Sequence, residues 1–117
     1  MVYQVLLICT DGQINDMAGT IDTICDLADL PCSIIIVGVG KADFSSMNAL
    51  DGDGQRLRSS GGKVAKRDIV QFVSFTECMK LGNLAEQVLK EVPTQFCAYM
   101  ETISYKPVAK AHDFVAL

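Results

Sequence analysis

Ser33-Ile34-Ile35-Ile36-Val37-Gly38-Val39-Gly40 decides how this chain folds. The β-branched run Ile34 to Val37 is stiff at χ1 and follows Pro31, which stops any helix arriving from upstream, so it favours a strand. The run is continuous, not alternating, which marks a strand covered on both faces in a parallel sheet. Upstream, Val2 to Cys9 is a second such run, closed by the turn Thr10-Asp11-Gly12. Between the two, from about Asn15 to Asp29, Met17, Ile21, Ile24, Cys25 and Ala28 recur at helical spacing, with Asn15 or Asp16 placed to cap the first turn. The unit is strand, helix, strand, and its crossover is expected to be right-handed.

Downstream, Asp43 to Leu50 predicts a short helix, and Asp51 to Gly62, rich in Gly, Ser, Asp and Arg, a surface loop. Ile69 to Phe75 supplies a third strand. A last long helix is predicted from Leu81, with Leu84, Ala85, Val88, Leu89 and Val92 on one stripe that resumes at Phe96, Tyr99, Met100 and Ile103. Pro93 bends or restarts it. From Lys106 the periodicity stops, so residues 1–105 form the predicted domain and 106–117 a flexible tail. The fold class is α/β: a partial doubly wound, Rossmann-like three-layer sandwich of three mainly parallel strands with flanking helices.

Composition sets the outer limits. With 117 residues, 50% of them hydrophobic, the chain holds one domain with a buried core. Its net charge of −4 argues against nucleic acid as a partner, since phosphate neutralisation needs an excess of Lys and Arg. The five cysteines are odd in number and contain no CxxC pair, which signals neither a disulfide framework nor a zinc site and suits a reducing cytosol. Cys9, Cys25 and Cys97 lie in apolar runs, so core packing is their expected role. The single histidine, His112, sits in the tail, where a nucleophile triad is hard to assemble. No apolar run approaches the roughly 20 residues that span a bilayer.

Four groups of residues invite a chemical reading. Thr10 and Asp11 follow the first strand, where open parallel sheets collect ligands, and offer hard oxygens for Mg²⁺, Mn²⁺ or Ca²⁺; taken alone, the same residues are better described as a turn with Asp11 capping local N–H groups. Asp51-Gly52-Asp53-Gly54 fails as an EF-hand, because Arg56 and Gly62 stand where Gly and Glu are required. Gly38-Val39-Gly40 and Gly61-Gly62-Lys63 are incomplete phosphate loops. Arg56, Arg58, Lys63, Lys66 and Arg67 gather five of the ten basic residues, as a solvated loop or as a docking patch for an acidic partner or an anionic lipid surface.

The runs Tyr3 to Gly12 (YQVLLICTDG), Ser33 to Gly40 (SIIIVGVG), Leu50 to Asp53 (LDGD) and Arg67 to Val73 (RDIVQFV) resemble, in order, the C-terminal half of the copine A domain. The resemblance reaches from about Tyr3 to about Lys106 and implies a von Willebrand A-type sheet of which this chain supplies the last three strands. It implies a non-enzymatic module that recruits other proteins in signalling. The parent protein would be cytoplasmic and move to the plasma membrane with calcium, binding phospholipid through two C2 domains that this chain lacks. A-type domains hold a divalent cation with an Asp-x-Ser-x-Ser segment, a Thr and an Asp after the fourth strand. Thr10-Asp11-Gly12 matches the last of these, which makes Asp11, with Thr10 beside it, part of a shared site; the Asp-x-Ser-x-Ser segment does not occur. Mg²⁺ or Ca²⁺ would belong to the full-length domain, and no cofactor is expected here. The first strand would be a central strand turned into an edge, which points to self-association.

The other reading is a doubly wound enzyme or phospho-relay domain with Asp11 as metal-dependent or phosphoacceptor carboxylate. It requires further acidic residues beside Asp11 and a Lys closing a later strand, whereas the third strand ends in Val73-Ser74-Phe75-Thr76.

Overall fold

The computed structural model describes residues 2–51 and 55–106, so the tail predicted over 106–117 falls, after Lys106, outside the described residues. The elements are β1 (Gln4–Thr10), α1 (Met17–Leu27), β2 (Cys32–Gly38), α2 (Ser45–Asp51), β3 (Val70–Ser74), α3 (Phe75–Leu81), α4 (Leu84–Leu89) and α5 (Val92–Thr102). The strands form one parallel sheet in the order β1-β2-β3, with Leu6 opposite Ile34 and Ile36 opposite Phe72. The architecture is the α/β sandwich expected from the sequence.

Local chemistry explains the early elements. The Asp16 carboxylate accepts from the Gly19 N–H at 2.9 Å, which satisfies a free donor at the start of α1. Both crossovers bring their helices to the same face. There Ile24, Cys25 and Ala28 of α1 and Met47 and Leu50 of α2 pack with Ile34 and Ile36 of β2 and Val70 of β3. Gly38 ends β2 beneath the rings of Phe44 and Phe72, whose centroids are 5.6 Å apart; a Cβ there would meet both rings at 3.0 Å. Close packing, not phosphate, accounts for that glycine. Gly62, at φ +89°, turns the chain between Ser59 and Lys63, so Gly61-Gly62-Lys63 is a hairpin turn.

The stretch from Leu81 to Ile103, predicted as one long helix bent or restarted at Pro93, holds two helices, α4 and α5, and a third, α3, precedes it. Ser74 caps α3, which forms directly after β3. Gly82 ends it in the left-handed region, at φ 76°, and Asn83 caps α4 through the Glu86 N–H. Pro93 stands in the first turn of α5, where its missing N–H is tolerated. α4 lies against β3 and α5 against β2. The buried Gln71 side chain stitches this layer, donating to the Gln87 carbonyl and accepting from the Glu91 N–H at the junction of α4 and α5.

Two further expectations change. All of β2 is buried, but β1 is exposed from Gln4 to Cys9, so the first apolar run is not covered on both faces within the described residues. Arg67, assigned to a surface patch, is 2% exposed. Its guanidinium donates to the carbonyls of Ala28, Leu30, Cys32 and Gln95 at 2.6–3.0 Å and lies 5.1 Å from the Tyr99 ring centroid. The acceptors come from the end of α1, the connection into β2, and α5. Burying this charge is tolerable because its donors meet a fan of carbonyl dipoles and its face meets an aromatic ring.

Arg67→Met takes the guanidinium donors from those carbonyls, of which Leu30's still accepts from the Cys32 N–H, and is expected to lower unfolding stability by about 3 kcal/mol, since each orphaned buried acceptor costs about 1–3 kcal/mol. Arg67→Lys keeps the charge but not the planar fork and should lose a substantial part of the same stability. Urea unfolding followed by circular dichroism measures both; a change below about 1 kcal/mol for Arg67→Met would remove the guanidinium from its structural role.

Candidate functional site

The surface most available for recognition is β1. The Gln4 N–H donates to the Pro31 carbonyl and the Thr10 carbonyl accepts from the Val39 N–H, so Gln4, Leu6, Ile8 and Thr10 turn their backbone groups toward β2. Val5, Leu7 and Cys9 therefore turn theirs outward. The opposite edge differs. On β3 the outward N–H groups are those of Val70, Phe72 and Ser74, of which the first two donate to the carboxylates of Asp68 at 3.3 Å and Asp51 at 2.8 Å. That edge is capped in part by aspartates, while the edge of β1 carries no such cap among the described residues.

The side chains along the open edge are apolar on both faces. Val5, Leu6, Leu7 and Ile8 are 38–56% exposed, and the strand has no charge, no proline and no bulge to discourage pairing. On the α1 side, Leu6 and Ile8 line a groove of about 600 Å³ together with Ile24, Leu27, Met47 and Leu50. On the other side Tyr3 is held by the Ser33 hydroxyl and by edge-to-face contact with Phe96, centroids 5.1 Å apart.

The residues singled out from sequence fall at separate places. Thr10 and Asp11 sit at the carboxyl end of β1, where the Thr10 hydroxyl accepts from the Gly12 N–H at 3.4 Å and Asp11 is exposed. No group of three potential metal ligands among the described residues includes Asp11. The basic residues do not make one patch. Lys63 pairs with Asp26 and Asp29 at 3.2 and 2.7 Å, Lys66 approaches Asp29 at 3.8 Å, Arg58 donates to the Gly62 carbonyl, and Arg67 is internal. Arg56 is exposed.

Among the thiols, Cys25 is buried as expected, whereas Cys9 on β1 and Cys97 on α5 are exposed. Burial pushes the Cys25 and Cys32 thiols above their ordinary values, which suits packing and not nucleophilic attack. A cluster that the sequence conceals is formed by Asp51, Asp68 and Glu91, whose carboxylate oxygens lie within 4.8 Å of one another. Their separation along the chain hides it, and two of the three serve as the caps on β3.

The copine family model matches residues 1–108. Among curated proteins, the chain is 51% identical over 106 residues to Copine-A of Dictyostelium discoideum, covering 90% of the chain and 18% of that protein. It is 50% identical over 108 residues to Protein BONZAI 2 of Arabidopsis thaliana (90% and 18%) and 49% identical over 109 residues to Protein BONZAI 1 (91% and 19%). The chain thus spans about one fifth of the length of these relatives.

The ion pairs set an acid dependence. Hydrogen bonding from Ser60 holds the Asp22 carboxyl below its ordinary value, and hydrogen bonding from Lys63 does the same for Asp29. Groups depressed on folding contribute stability above the unfolded carboxylate pKa of about 3.9, and that stability is lost as pH falls through the lower folded value. Stability should therefore decline below about pH 4, and the Asp22→Asn, Asp29→Asn double variant should show a shallower decline from a lower neutral plateau. Denaturant unfolding as a function of pH reads this, and an unchanged acid limb would mean these carboxylates are not coupled to folding.

Proposed function

Since this chain belongs to the copine family, we propose that it acts as part of a non-enzymatic protein-interaction module, the later half of a copine-type von Willebrand A domain. The observation that supports this reading is the parallel β1-β2-β3 sheet with α1 and α2 on one face and α4 and α5 on the other, over the residues that the copine family model matches. Buried and half-buried polar groups elsewhere are spent on backbone: Arg67 on four carbonyls, Asp51 and Asp68 on β3 donors, Gln71 on the α4–α5 junction.

In the longer proteins to which the chain is similar, we assign calcium-dependent phospholipid binding and recruitment from cytoplasm to plasma membrane to regions outside residues 1–117. The chain's own cations support only weak, salt-sensitive attraction to anionic lipid, because Lys63 and Lys66 are paired and Arg67 is buried. Asp11, with Thr10, would give one ligand to a Mg²⁺ or Ca²⁺ ion whose other ligands come from elsewhere in the domain.

Three measurements on the chain test this. With phosphatidylserine vesicles it should remain in the supernatant whether or not calcium is added; calcium-triggered pelleting assigns lipid binding to the chain itself and overturns the reading. Incubation with acetyl phosphate and Mg²⁺ should leave its intact mass unchanged, and a phosphoryl adduct at Asp11 would establish a phospho-relay instead. Calorimetric titration with Mg²⁺ or Ca²⁺ should show no heat that Asp11→Ala removes.

A further inference from the structure

The hairpin from Leu57 to Ala65 carries two serines at its tip and is docked on α1 through acids. Its Ala65 N–H donates to the Leu57 carbonyl at 2.8 Å, its Ser59 N–H to the Lys63 carbonyl at 2.7 Å and its Gly62 N–H to the Ser59 carbonyl at 3.0 Å, which sets Ser60 at the corner of the turn. One oxygen of the Asp22 carboxylate accepts from the Ser60 N–H and the other from the Ser60 hydroxyl, both at 2.8 Å. Lys63 reaches Asp26 and Asp29, and Lys66 approaches Asp29. Behind the tip, Ala65 belongs to the core and Leu57 packs against it, its carbonyl accepting from the Cys25 thiol at 3.7 Å. The hairpin thus covers Cys25, which is fully buried.

We propose that Ser60 is a phosphorylation site, used by a serine kinase that reads basic residues on both sides of its target, and that the phosphate lifts the hairpin from α1. Arg56 and Arg58, both exposed, stand four and two residues before Ser60, and Lys63 stands three residues after it. Cations so placed suit an acidic substrate cleft. Ser60 is exposed, whereas Ser59 is half-buried and its hydroxyl accepts from the Lys63 N–H at 3.0 Å. The hairpin is held together by an isolated bridge between Arg58 and Val64 and not by a regular ladder, so its tip opens locally into the extended form that a kinase cleft takes. Each of these groups belongs to the hairpin or to α1 and its end, which makes the site independent of whatever lies beside β1.

The step is phosphoryl transfer from ATP. A bond forms between Ser60 Oγ and the γ-phosphorus, the bond from that phosphorus to the β–γ bridging oxygen breaks, ADP leaves, and the hydroxyl proton passes to the kinase's base. The product reverses the contact with Asp22. A hydroxyl that donated to the carboxylate becomes a group of about −1.5 to −2 charge at neutral pH, and like charges in that position repel. Lys63 can neutralise the phosphate only by leaving Asp26 and Asp29, which undoes a second tie to the helix.

The test has two stages. Incubated with ATP, Mg²⁺ and the catalytic fragment of protein kinase C, the folded chain should gain one phosphoryl group that peptide fragmentation places on Ser60 and that Ser60→Ala removes. No adduct, or an adduct on Ser59, would overturn the assignment. Release of the hairpin is read at Cys25 in a Cys9→Ser, Cys97→Ser background, which removes the exposed thiols. Alkylation of Cys25 by iodoacetamide should run about tenfold faster or more in the phosphorylated chain, as expected on losing a hydrogen bond to a charged group. Cys32, buried beside the Leu27 carbonyl, should keep its rate. Asp22→Asn keeps an acceptor for Ser60 but not the charge, and should remove most of that gain. An unchanged Cys25 rate, or a rise shared equally by Cys32, would overturn the release; a full gain in Asp22→Asn would overturn repulsion as its cause.

Discussion

The guanidinium of Arg67 is the point on which the layers meet. Its acceptors at Ala28 and Leu30 close the end of α1, Cys32 opens β2, and Gln95 belongs to α5 on the far side of the sheet. A helix end leaves carbonyls without partners, and a tight connection from helix to buried strand places them where water is excluded. One planar cation with several donors answers them together, which a lysine or a neutral amide would not. The Tyr99 ring over its face brings α5 into the same contact, so the outer helical layer is fixed to the inner crossover through a single side chain. Position 67 lies three residues before β3, and that strand's place beside β2 inherits the same constraint.

With the interior held in this way, the two edges of the sheet acquire opposite characters. β3 has the outward donors of Val70 and Phe72 taken by Asp68 and Asp51, and its buried Gln71 ties it to the helices behind. β1 has hydrogen bonds on one side only, and apolar side chains on both faces. A parallel strand with this composition is stable in water only when its surroundings remove it from solvent.

Much of this was legible in the sequence, and the failures have physical causes. The run from Ile34 to Val37 announced β2, and the spacing from Met17 to Ala28 with Asp16 ahead of it announced α1, because local propensity and tertiary placement agree there. Gly82-Asn83 with Glu86 three residues beyond is a stop followed by a start, a local signal outweighed in the reading by an apolar stripe that crosses it. Arg67 carried no local signal. A basic residue in a basic stretch reads as solvent-exposed, and its burial depends on carbonyls 35 to 39 positions upstream and 28 downstream. Lys63 and Lys66 likewise found their acids across the fold, at Asp26 and Asp29, which dissolved the patch that linear proximity suggested.

For β1 the sequence and the structure describe one fact from two sides. Hydropathy marks Val2 to Cys9 as made to be covered; among the described residues it is covered only in part. Cys9 shows the consequence at a single residue, a thiol placed in an apolar run as if for a core and left exposed. Asp11 shows it too, lying just beyond the last residue of that strand without a second acidic ligand in a three-residue cluster. The strand and the turn that follows it therefore share a boundary condition: whatever covers the outer edge of β1 also decides which groups stand next to Asp11. Binding at the edge and any chemistry at the carboxyl end of the strand are coupled through the same seven residues.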